Sequence, residues 1–256
     1  MPAVRGQPAR VEVVSKVLIF TATYNEAANI GPWIEGVATA IPSADILIID
    51  DSSPDHTANV ITESARTFPQ VHLHSRAGKQ GLSSAHIYAM HYALDNGYDA
   101  LVTMDADGSH QPAQIPAVLG ALTDGLSTAN FCIGTRTRGG SHQAALPRRV
   151  LSHGANITAR ILLPMGISEY TTSFRAFDPV ALRAVLAHDF SASGYAFFIE
   201  CLEVMHRAKD PRVVMTEVPI DFLDRFSGQS KIPKNQIYLS MLALTRLSFS
   251  RIKQRG

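Results

Sequence analysis

The sequence predicts an α/β fold in which helices cover both faces of a mostly parallel central sheet. Short apolar segments rich in branched residues alternate with helix-like segments through the first half of the chain. Polar clusters follow three of these apolar segments, at the position where open α/β sheets bind ligands. The 256 residues, of which 46% are hydrophobic and 18% charged, fit one large or two small globular domains.

The elements alternate along the chain. Five apolar segments are expected to form strands of the sheet: residues 16–20, 46–49, 71–74, 100–104 and 131–133. Helices are expected at residues 26–40, 81–96 and 113–122. A further helix is expected to begin after Asp55, which could cap it. Near-continuous apolar strands joined by helices are typical of parallel sheets, because both faces of such a sheet are buried. The pattern changes after about residue 140, where we expect a helix over 148–163 and a last strand over 213–218.

The charge and cysteine content argue against several classes of protein. The 23 basic and 22 acidic side chains leave a net charge of +1, whereas duplex nucleic-acid binders normally carry a larger basic excess. We therefore expect no nucleic-acid partner. Cys132 and Cys201 lie in apolar segments, which predicts buried thiols in a reducing compartment and neither a disulfide nor a zinc site. No secretory signal is visible, so a cytoplasmic location is expected.

The two ends of the chain differ from its centre. The first ten residues contain two prolines and two arginines and lack an apolar core. We therefore expect residues 1–14 to form a flexible tail, followed by a single domain over residues 15–232. Residues 233–256 predict an amphipathic helix that either lies on a membrane surface or packs on the core with its cations in water. Its apolar stretch is shorter than the roughly 18 to 20 residues that a membrane span requires.

Asp105 and Asp107 directly follow the fourth predicted strand. In extended backbone, residues two apart point the same way, so both carboxylates would face one ligand. Magnesium is usually held by one or two carboxylates together with substrate phosphates. The pair therefore predicts a magnesium site for a phosphate-containing ligand, and the alternative is a solvated acidic turn.

Further polar residues follow the first two strands. Asp50 and Asp51 end the second strand, where acids can accept hydrogen bonds from ribose hydroxyls or base nitrogens of a nucleotide. Thr23, Tyr24 and Glu26 follow the first strand, at the same predicted edge of the sheet. The alternative for these acids is a turn with the first turn of a helix.

Basic residues close to Gly, Ser or Pro are candidates for phosphate contacts. Lys79 opens a Gly- and Ser-rich entry to a helix, although that segment lacks the spacing of a P-loop. Arg136 follows the fifth strand and should reach the same edge as the carboxylates. Arg148 and Ser152 lie four residues apart and share a helix face. The remaining candidates are Arg175, Arg225 and Lys231.

Together these motifs resemble the family-2 glycosyltransferases and, within them, the polyprenyl-phosphate (dolichol-phosphate) mannosyltransferases. The matching segments run in family order from about residue 16 to residue 232. They are residues 23–26, 50–55, 105–112, 134–136, 148–156, 172–175, 194–195, 217–220, 224–225 and 228–231. Many sugar transferases share single motifs. The last group of segments, residues 217–220, 224–225 and 228–231, is much more specific to the lipid-phosphate branch.

The resemblance implies a nucleotide-binding GT-A fold and inverting transfer of a hexose, by family default mannose from GDP-mannose, to a polyprenyl phosphate. The resemblance implies that Glu26 and Asp51 hold the nucleoside, and we expect Thr23, Tyr24 and Lys79 to complete the donor-binding residues. The implied ligands of Mg²⁺ or Mn²⁺ are Asp105, Asp107 and Ser109. The implied acceptor-phosphate residues are Arg136, Arg148, Ser152, Arg225 and Lys231. The implied catalytic residues are Asp105, Asp107, Arg136 and Arg225.

The implied partners are a nucleotide sugar, a polyprenyl phosphate, the cytoplasmic surface of a membrane and a separate anchoring protein. A phosphate acceptor is already an anion, so the protein has to align two anions and neutralise the leaving diphosphate. Four alternatives stay open: UDP-glucose or another donor, a hydroxyl acceptor, an aspartyl phosphatase, or a binding module without catalysis. The phosphatase reading rests on the likeness of residues 105–109 to its nucleophile loop, but the acidic pair at residues 50–51 precedes that loop.

Overall fold

A computed structural model describes residues 14–122, 129–143, 146–190, 194–225 and 245. The strands in these ranges are β1 Val17–Thr23, β2 Asp45–Asp50, β3 Val71–Ser75, β4 Ala100–Thr103, β5 Phe131–Thr135, β6 Ser141–His142, β7 Arg175–Phe177, β8 Met215–Pro219 and β9 Asp221–Phe222. The helices are α1 Ala27–Ala40, α2 Thr57–Thr67, α3 Leu82–Asp95, α4 Ile115–Gly120, α5 Leu146–Leu162, α6 Pro179–Leu186 and α7 Tyr195–Arg207.

Seven of the described strands form one sheet in the order β3-β2-β1-β4-β7-β5-β8. The neighbouring pairs are parallel except at β7, which runs antiparallel to both β4 and β5. The predicted mostly parallel α/β sheet is therefore confirmed. The antiparallel direction of β7 was not predicted, because three residues between irregular segments carry no signal of strand direction.

The alternation of side chains along the strands builds a separate core on each face of the sheet. Leu18 and Phe20 of β1 face the layer formed by α3, α6 and α7, whereas Val17 and Ile19 face α1, α2 and α4. All four side chains are buried, as expected for a strand covered on both sides. Cys132 and Cys201 are buried as well, one in each core, which confirms the predicted burial of both thiols.

The carboxyl ends of β1, β2, β4 and β5 meet at one edge of the sheet. Thr23 at the end of β1 lies opposite Asp50 at the end of β2, and Phe20 lies opposite Thr103 of β4. The polar segments that follow these strands therefore converge. A second, two-stranded parallel sheet of β6 and β9 lies next in the chain to β5 and β8, and its β9 leads directly to residues 223–225.

Several predicted boundaries moved by a few residues. The helix expected at 113–122 is α4 at Ile115–Gly120, because residues 112–114 form a 3₁₀ turn that begins at Pro112. The helix expected at 148–163 begins earlier, at Leu146. None of the described helices is long and apolar enough to cross a membrane. The predicted N-terminal tail lies outside the described residues except for residue 14, and the predicted C-terminal helix does so except for residue 245.

Candidate active site

At the end of β2, Asp50 and Asp51 have different surroundings. The Asp50 carboxylate accepts hydrogen bonds from Thr23 Oγ1 at 2.8 Å and from the backbone N–H and hydroxyl of Ser53 at 2.9 and 2.6 Å. Asp50 is 1% exposed and thus closes the turn after β2. These three hydrogen bonds hold the end of β1 to the turn after β2, which gives Asp50 a structural role.

Asp51 forms a buried ion pair with Arg76. The Arg76 Nε donates to Asp51 Oδ1 at 2.5 Å, and the backbone N–H groups of Gln80 and Gly81 donate to Asp51 Oδ2 at 3.2 and 3.3 Å. The Arg76 guanidinium also donates to Ser84 Oγ at 2.7 Å. The pair therefore ties the end of β2 to the loop that enters α3. The sequence analysis missed Arg76, although its place just after the third strand was a signal for this edge.

Tyr24, Lys79 and Glu26 surround the same part of the edge. Lys79 Nζ lies 4.4 Å from the centre of the Tyr24 ring, which fits a cation–π contact. Glu26 Oε2 accepts a hydrogen bond of 2.6 Å from Asn29 Nδ2. Asp55 was predicted as the cap of α2, but the N-cap is His56; Asp55 accepts from the backbone N–H groups of Thr57 and Ala27, so its carboxylate joins the starts of α1 and α2. These contacts fix the positions of the loops that follow β1 and β2 at this edge of the sheet.

The Asp105 and Asp107 carboxylates differ in exposure. The Asp105 side chain is 42% exposed and accepts a hydrogen bond of 2.6 Å from Ser173 Oγ. Asp107 is buried, and its Oδ1 accepts from both the backbone N–H and the hydroxyl of Ser109 at 3.0 and 2.5 Å. Asp105 thus faces solvent, whereas Asp107 is held within its own loop.

Arg225 brings a positive charge to Asp107 from a distant part of the chain. Its Nε lies 2.7 Å from Asp107 Oδ2. Burial opposes the ionisation of Asp107, but the Ser109 hydrogen bond and the Arg225 charge outweigh it and hold the pKa of Asp107 below its usual range. The backbone supports this approach, because the N–H of Leu223 donates to the Ser109 carbonyl oxygen at 3.0 Å.

His110 supports the loop of residues 105–109, the carboxylate loop, from its buried side. Its Nδ1 accepts the backbone N–H of Asp105 at 3.0 Å, and its Nε2 lies 3.1 Å from Thr172 Oγ1. Burial lowers the pKa of His110, so the ring is neutral and Nε2 is the atom that donates to Thr172. The ring is 1% exposed, and His110 therefore positions the loop without reaching a ligand.

Arg136 follows β5 and lies against Glu169. Its Nε and Nη2 donate to the two Glu169 oxygens at 2.9 and 2.7 Å, and Nη2 also donates to Thr171 Oγ1 at 2.7 Å. The guanidinium carbon lies 4.9 Å from the centre of the Phe222 ring, and His110 packs against the same ring. The predicted phosphate residue Arg136 is thus a buried partner of an acid as well as a neighbour of the carboxylate loop.

Glu169 joins Arg136 to α5. Its Oε1 also accepts a hydrogen bond of 2.9 Å from Asn156 Nδ2, and Asn156 lies on α5. Burial opposes the ionisation of Glu169, but the Arg136 guanidinium outweighs it and lowers the pKa of Glu169 to about 2. The sequence analysis missed this role of Glu169, because its partner Arg136 lies 33 residues away and no local pattern links them.

The donor set of the carboxylate loop fits a hard divalent cation. It consists of two carboxylates and the Ser109 hydroxyl, and Mg²⁺ and Mn²⁺ prefer oxygen ligands. Among the described residues, no group of three His, Cys, Asp or Glu side chains is arranged to hold a metal ion. A cation at Asp105 and Asp107 would therefore need further oxygens, which phosphate groups of a substrate supply. The Arg225 guanidinium meets Asp107 Oδ2 in this structure and provides the positive charge there.

The structure brings most of the predicted site residues to one edge of the sheet. Arg148 lies in the first turn of α5, and its side chain is outside the part of the chain that the structure describes. Ser152 is half-buried on the same helix. Lys231 lies outside the described residues. Arg175 is not at the edge: it is 1% exposed in the core, where it donates to the carbonyl oxygens of residues 170, 172 and 198.

Comparison with known proteins defines the class. Residues 18–186 match the model of glycosyl transferase family 2. The chain therefore belongs to glycosyltransferase family 2, and the GT-A fold that the resemblance implied is confirmed.

Two curated relatives place the chain more narrowly within the family. It is 34% identical over 233 residues to the undecaprenyl-phosphate mannosyltransferase of Micrococcus luteus, covering 90% of this chain and 93% of that protein. It is 35% identical over 237 residues to the polyprenol monophosphomannose synthase of Mycolicibacterium smegmatis, covering 91% and 87%. The resemblance to polyprenyl-phosphate mannosyltransferases that the motifs predicted is confirmed by these relatives.

Solved structures support the fold at lower identity. Mannosyl-3-phosphoglycerate synthase from Rubrobacter xylanophilus superimposes with a TM-score of 0.67 at 16% identity, covering 95% of this chain and 75% of that one. Glucosyl-3-phosphoglycerate synthase from Mycobacterium tuberculosis, in complex with Mn²⁺, UDP and glucosyl-3-phosphoglycerate, gives 0.66 at 14% identity, covering 96% and 87%.

Proposed function

We propose that this protein transfers mannose from GDP-mannose to a polyprenyl monophosphate, with inversion at the anomeric carbon and with Mg²⁺ or Mn²⁺ as cofactor. The observation that carries the proposal is the pair Asp105 and Asp107 beside the arginines 136 and 225, in a chain that matches two lipid-phosphate mannosyltransferases over nine-tenths of its length. The carboxylates suit a cation, and the arginines suit phosphate groups.

The donor nucleotide would bind at the ends of β1 and β2. Tyr24 and Lys79 offer an aromatic face and a cation, and Glu26 and Asp51 offer carboxylates in this region. Because Asp51 is already bonded to Arg76, we assign it the task of holding the loop 76–81 around the nucleoside. Thr23 supports the same edge through Asp50.

The metal would bind at Asp105 and Asp107 with Ser109 close by, and it would supply charge neutralisation for the leaving diphosphate. Arg225 can supplement that charge, because it already lies against Asp107. If the metal took the place of the Arg225 guanidinium at Asp107 Oδ2, Arg225 would be free to contact the phosphates. The exposed Asp105 provides the accessible carboxylate of the pair.

The reaction requires alignment more than proton transfer. An acceptor phosphate oxygen forms a bond to the anomeric carbon of the sugar, and the bond from that carbon to the diphosphate oxygen breaks with its electron pair. The acceptor is ionised at neutral pH, so no side chain has to remove a proton. The arginines 136, 148 and 225, with Ser152 and Lys231, would hold the two phosphate groups in line and offset their repulsion.

The acceptor sets where the protein works. A polyprenyl chain stays in a bilayer, so the phosphate has to be collected at the membrane surface. We therefore propose that the protein is peripheral at the cytoplasmic face of a membrane, with an anchoring partner as a further component. The hydrocarbon chain of the acceptor would remain outside the catalytic edge.

The test is transfer of labelled mannose from GDP-mannose to a short-chain polyprenyl phosphate in detergent, with purified protein and Mg²⁺ or Mn²⁺. Asp107→Asn should abolish transfer, whereas Asp95→Asn, an exposed acid on α3, is the matched control and should retain it. Arg148→Ala should raise the KM for the lipid phosphate and leave the KM for GDP-mannose unchanged.

The outcomes separate the parts of the proposal. Label from UDP-glucose but not from GDP-mannose would retain the reaction and replace the donor. Transfer that persists in EDTA would remove the metal from the proposal. No lipid product from any donor, with nucleotide sugar still bound, would overturn the acceptor and point to a hydroxyl group in its place.

A further inference from the structure

Arg175 is a charged side chain inside the fold, away from the edge where the other predicted arginines with described side chains lie. It is 1% exposed, and by volume it is the largest of the fully buried side chains in the described part of the chain. Burial lowers the pKa of Arg175 to about 10, so the guanidinium still carries its charge at neutral pH. A buried charge is unfavourable unless polar partners compensate it, so the partners of Arg175 indicate what it does.

The hydrogen-bond partners of the Arg175 guanidinium are backbone carbonyl oxygens. Its Nε donates to the carbonyl of Thr172 at 2.8 Å, and its Nη2 donates to the carbonyl of Tyr170 at 3.1 Å. Its Nη1 donates to the carbonyl of Phe198, in the first turn of α7, at 3.0 Å. Because the guanidinium is planar and presents its donors in a fixed fork, one side chain holds all three carbonyl groups at once.

The side chains of the same segment contact the carboxylate loop. We call residues 169–173 the bracket loop. Ser173 Oγ donates to Asp105 Oδ1 at 2.6 Å, and Thr172 Oγ1 lies 3.1 Å from Nε2 of His110. The other ring nitrogen of His110 accepts the backbone N–H of Asp105. Both the carboxylate and the backbone of Asp105 are therefore held by the bracket loop, one directly and one through His110.

The bracket loop also holds Arg136. Glu169 accepts two hydrogen bonds from the Arg136 guanidinium, and Thr171 Oγ1 accepts a third. The loop thus turns carbonyl groups toward Arg175 in the core and side chains toward the candidate active site. Loss of the Arg175 guanidinium would leave buried carbonyl groups without this donor, and the loop would have to change shape to satisfy them.

We propose that Arg175 is a positioning residue for the sugar-transfer reaction: it fixes the backbone of the bracket loop, which in turn holds Asp105 where the metal and the donor diphosphate would bind. The inference rests on the proposed function, because it names the residue that keeps the proposed metal site in shape. Groups that orient metal ligands commonly change metal affinity or activity by about tenfold to a hundredfold when they are removed. Arg175 acts through such a group, Ser173, so we expect an effect at the lower end of that range.

The experiment uses the full chain and measures binding of Mn²⁺ in the presence of GDP, from the electron paramagnetic resonance signal of free Mn²⁺. Transfer of mannose to a short-chain polyprenyl phosphate in detergent is measured in parallel. Arg175→Met should weaken Mn²⁺ binding and lower kcat, each by about tenfold. Arg175→Lys should weaken binding only severalfold, because an ammonium group can bond to carbonyl oxygens but lacks the planar fork.

The matched control is Met90→Ala, a buried side chain of α3 in the core layer that also contains Phe198. It should lower the free energy of unfolding, because it leaves a cavity, and it should retain the Mn²⁺ affinity and kcat of wild type. A general loss of stability would affect this control and the Arg175 variants alike.

A double-mutant cycle tests whether Arg175 acts through the bracket loop. Ser173→Ala removes the hydrogen bond to Asp105, so Arg175→Met should weaken Mn²⁺ binding less in that background than in wild type. Met90→Ala combined with Ser173→Ala should show additive effects, since the two residues share no described contact.

Three results would overturn the proposal. They are wild-type Mn²⁺ affinity and kcat in both Arg175 variants, additive effects of Arg175→Met and Ser173→Ala, and absence of Mn²⁺ binding by wild type. If Arg175→Met does not fold, the charge-retaining Arg175→Lys takes its place in the same cycle. Failure of the proposed function is separate: wild type would then bind Mn²⁺ with GDP and form no lipid product, while the effect of Arg175 on Mn²⁺ binding would remain.

Discussion

The two halves of the candidate active site, at the carboxyl edge of the sheet, are built in opposite ways. On the side of β1, β2 and β3, the acid Asp51 is saturated by Arg76 and two backbone N–H groups within 30 residues of chain. On the side of β4, β7 and β5, Asp105 remains 42% exposed, and Asp107 meets Arg225 from more than 100 residues away. The first half is a closed support, and the second presents charge that a ligand can reach.

The difference predicts which acids serve the fold and which serve the reaction. The Asp51 carboxylate is already occupied by Arg76 and two backbone N–H groups, so it gains little from a ligand, and its loss leaves buried partners unpaired. An exposed acid contributes little to stability, so its presence at a sheet edge points to binding.

The largest expected effect is on turnover at the open side. Asp105→Asn should lower kcat for mannose transfer by about a hundredfold or more, since it removes a charge available to the metal and the diphosphate. The free energy of unfolding should change by less than about 1 kcal/mol, because the carboxylate is exposed. Steady-state kinetics and urea unfolding of the same variant provide both numbers. A stable, fully active variant would break the comparison.

The second effect is on stability at the closed side. Arg76→Met should lower the free energy of unfolding by about 3 kcal/mol, because Asp51 would remain buried without its guanidinium partner. Arg225→Gln should cost less, because the Arg225 side chain is 17% exposed against 5% for Arg76, and because Asp107 keeps two hydrogen bonds from Ser109. Urea denaturation of both variants makes the comparison directly. Equal losses would mean that the two sides do not differ in how they use arginine.

The third effect is a pH dependence of stability. The folded pKa of Glu169 is about 2, below its ordinary value of 4.5, so the stability that its carboxylate contributes is present above pH 4.5 and is lost as the pH falls from 4.5 to 2. The loss specific to Glu169 is at most about 3 kcal/mol. It is measured as the difference in slope between wild type and Glu169→Gln across that pH range.

Glu169→Asp serves as the control for this measurement, because it keeps a carboxyl group near Arg136 and should retain much of the slope. Parallel slopes for wild type and Glu169→Gln would show that the ion pair with Arg136 does not depress the pKa of Glu169.

The smallest effect concerns donor binding. Lys79→Met should raise the KM for GDP-mannose severalfold with kcat nearly unchanged, because it removes one exposed cation beside Tyr24. Lys16→Met is the matched control: Lys16 Nζ also lies 4.4 Å from a tyrosine ring, that of Tyr98, but at the opposite end of β1. A change of equal size in both variants would argue against a donor-binding role for Lys79.

The sequence predicted the sheet and the position of the carboxylates, because strand alternation and strand ends are local patterns. Asp105 and Asp107 were predicted as site residues from their place after an apolar strand, and the structure places them at that strand end. Glu169 was not recognised, because its importance comes from Arg136 and Asn156, which reach it only after folding.

The character of Asp51 was also invisible in the sequence. Two adjacent acids at a strand end looked equally available to a nucleotide, and the contacts show both to be occupied by protein donors. The difference between Asp51 and Asp105 lies in how far each side chain is exposed to solvent. The sequence around these residues does not predict that exposure.

The central position of β7 has a consequence for synthesis of the chain on the ribosome. Strands β1, β2 and β3 can pair as soon as residue 75 has emerged, so this half of the sheet is able to fold early. Strand β5 has its neighbours only after residues 175–177 and 215–219 are made. The guanidinium partner of Asp107 arrives later still, with residue 225. A growing chain therefore forms the half of the sheet that we propose binds the nucleotide well before it contains all residues of the proposed transfer site.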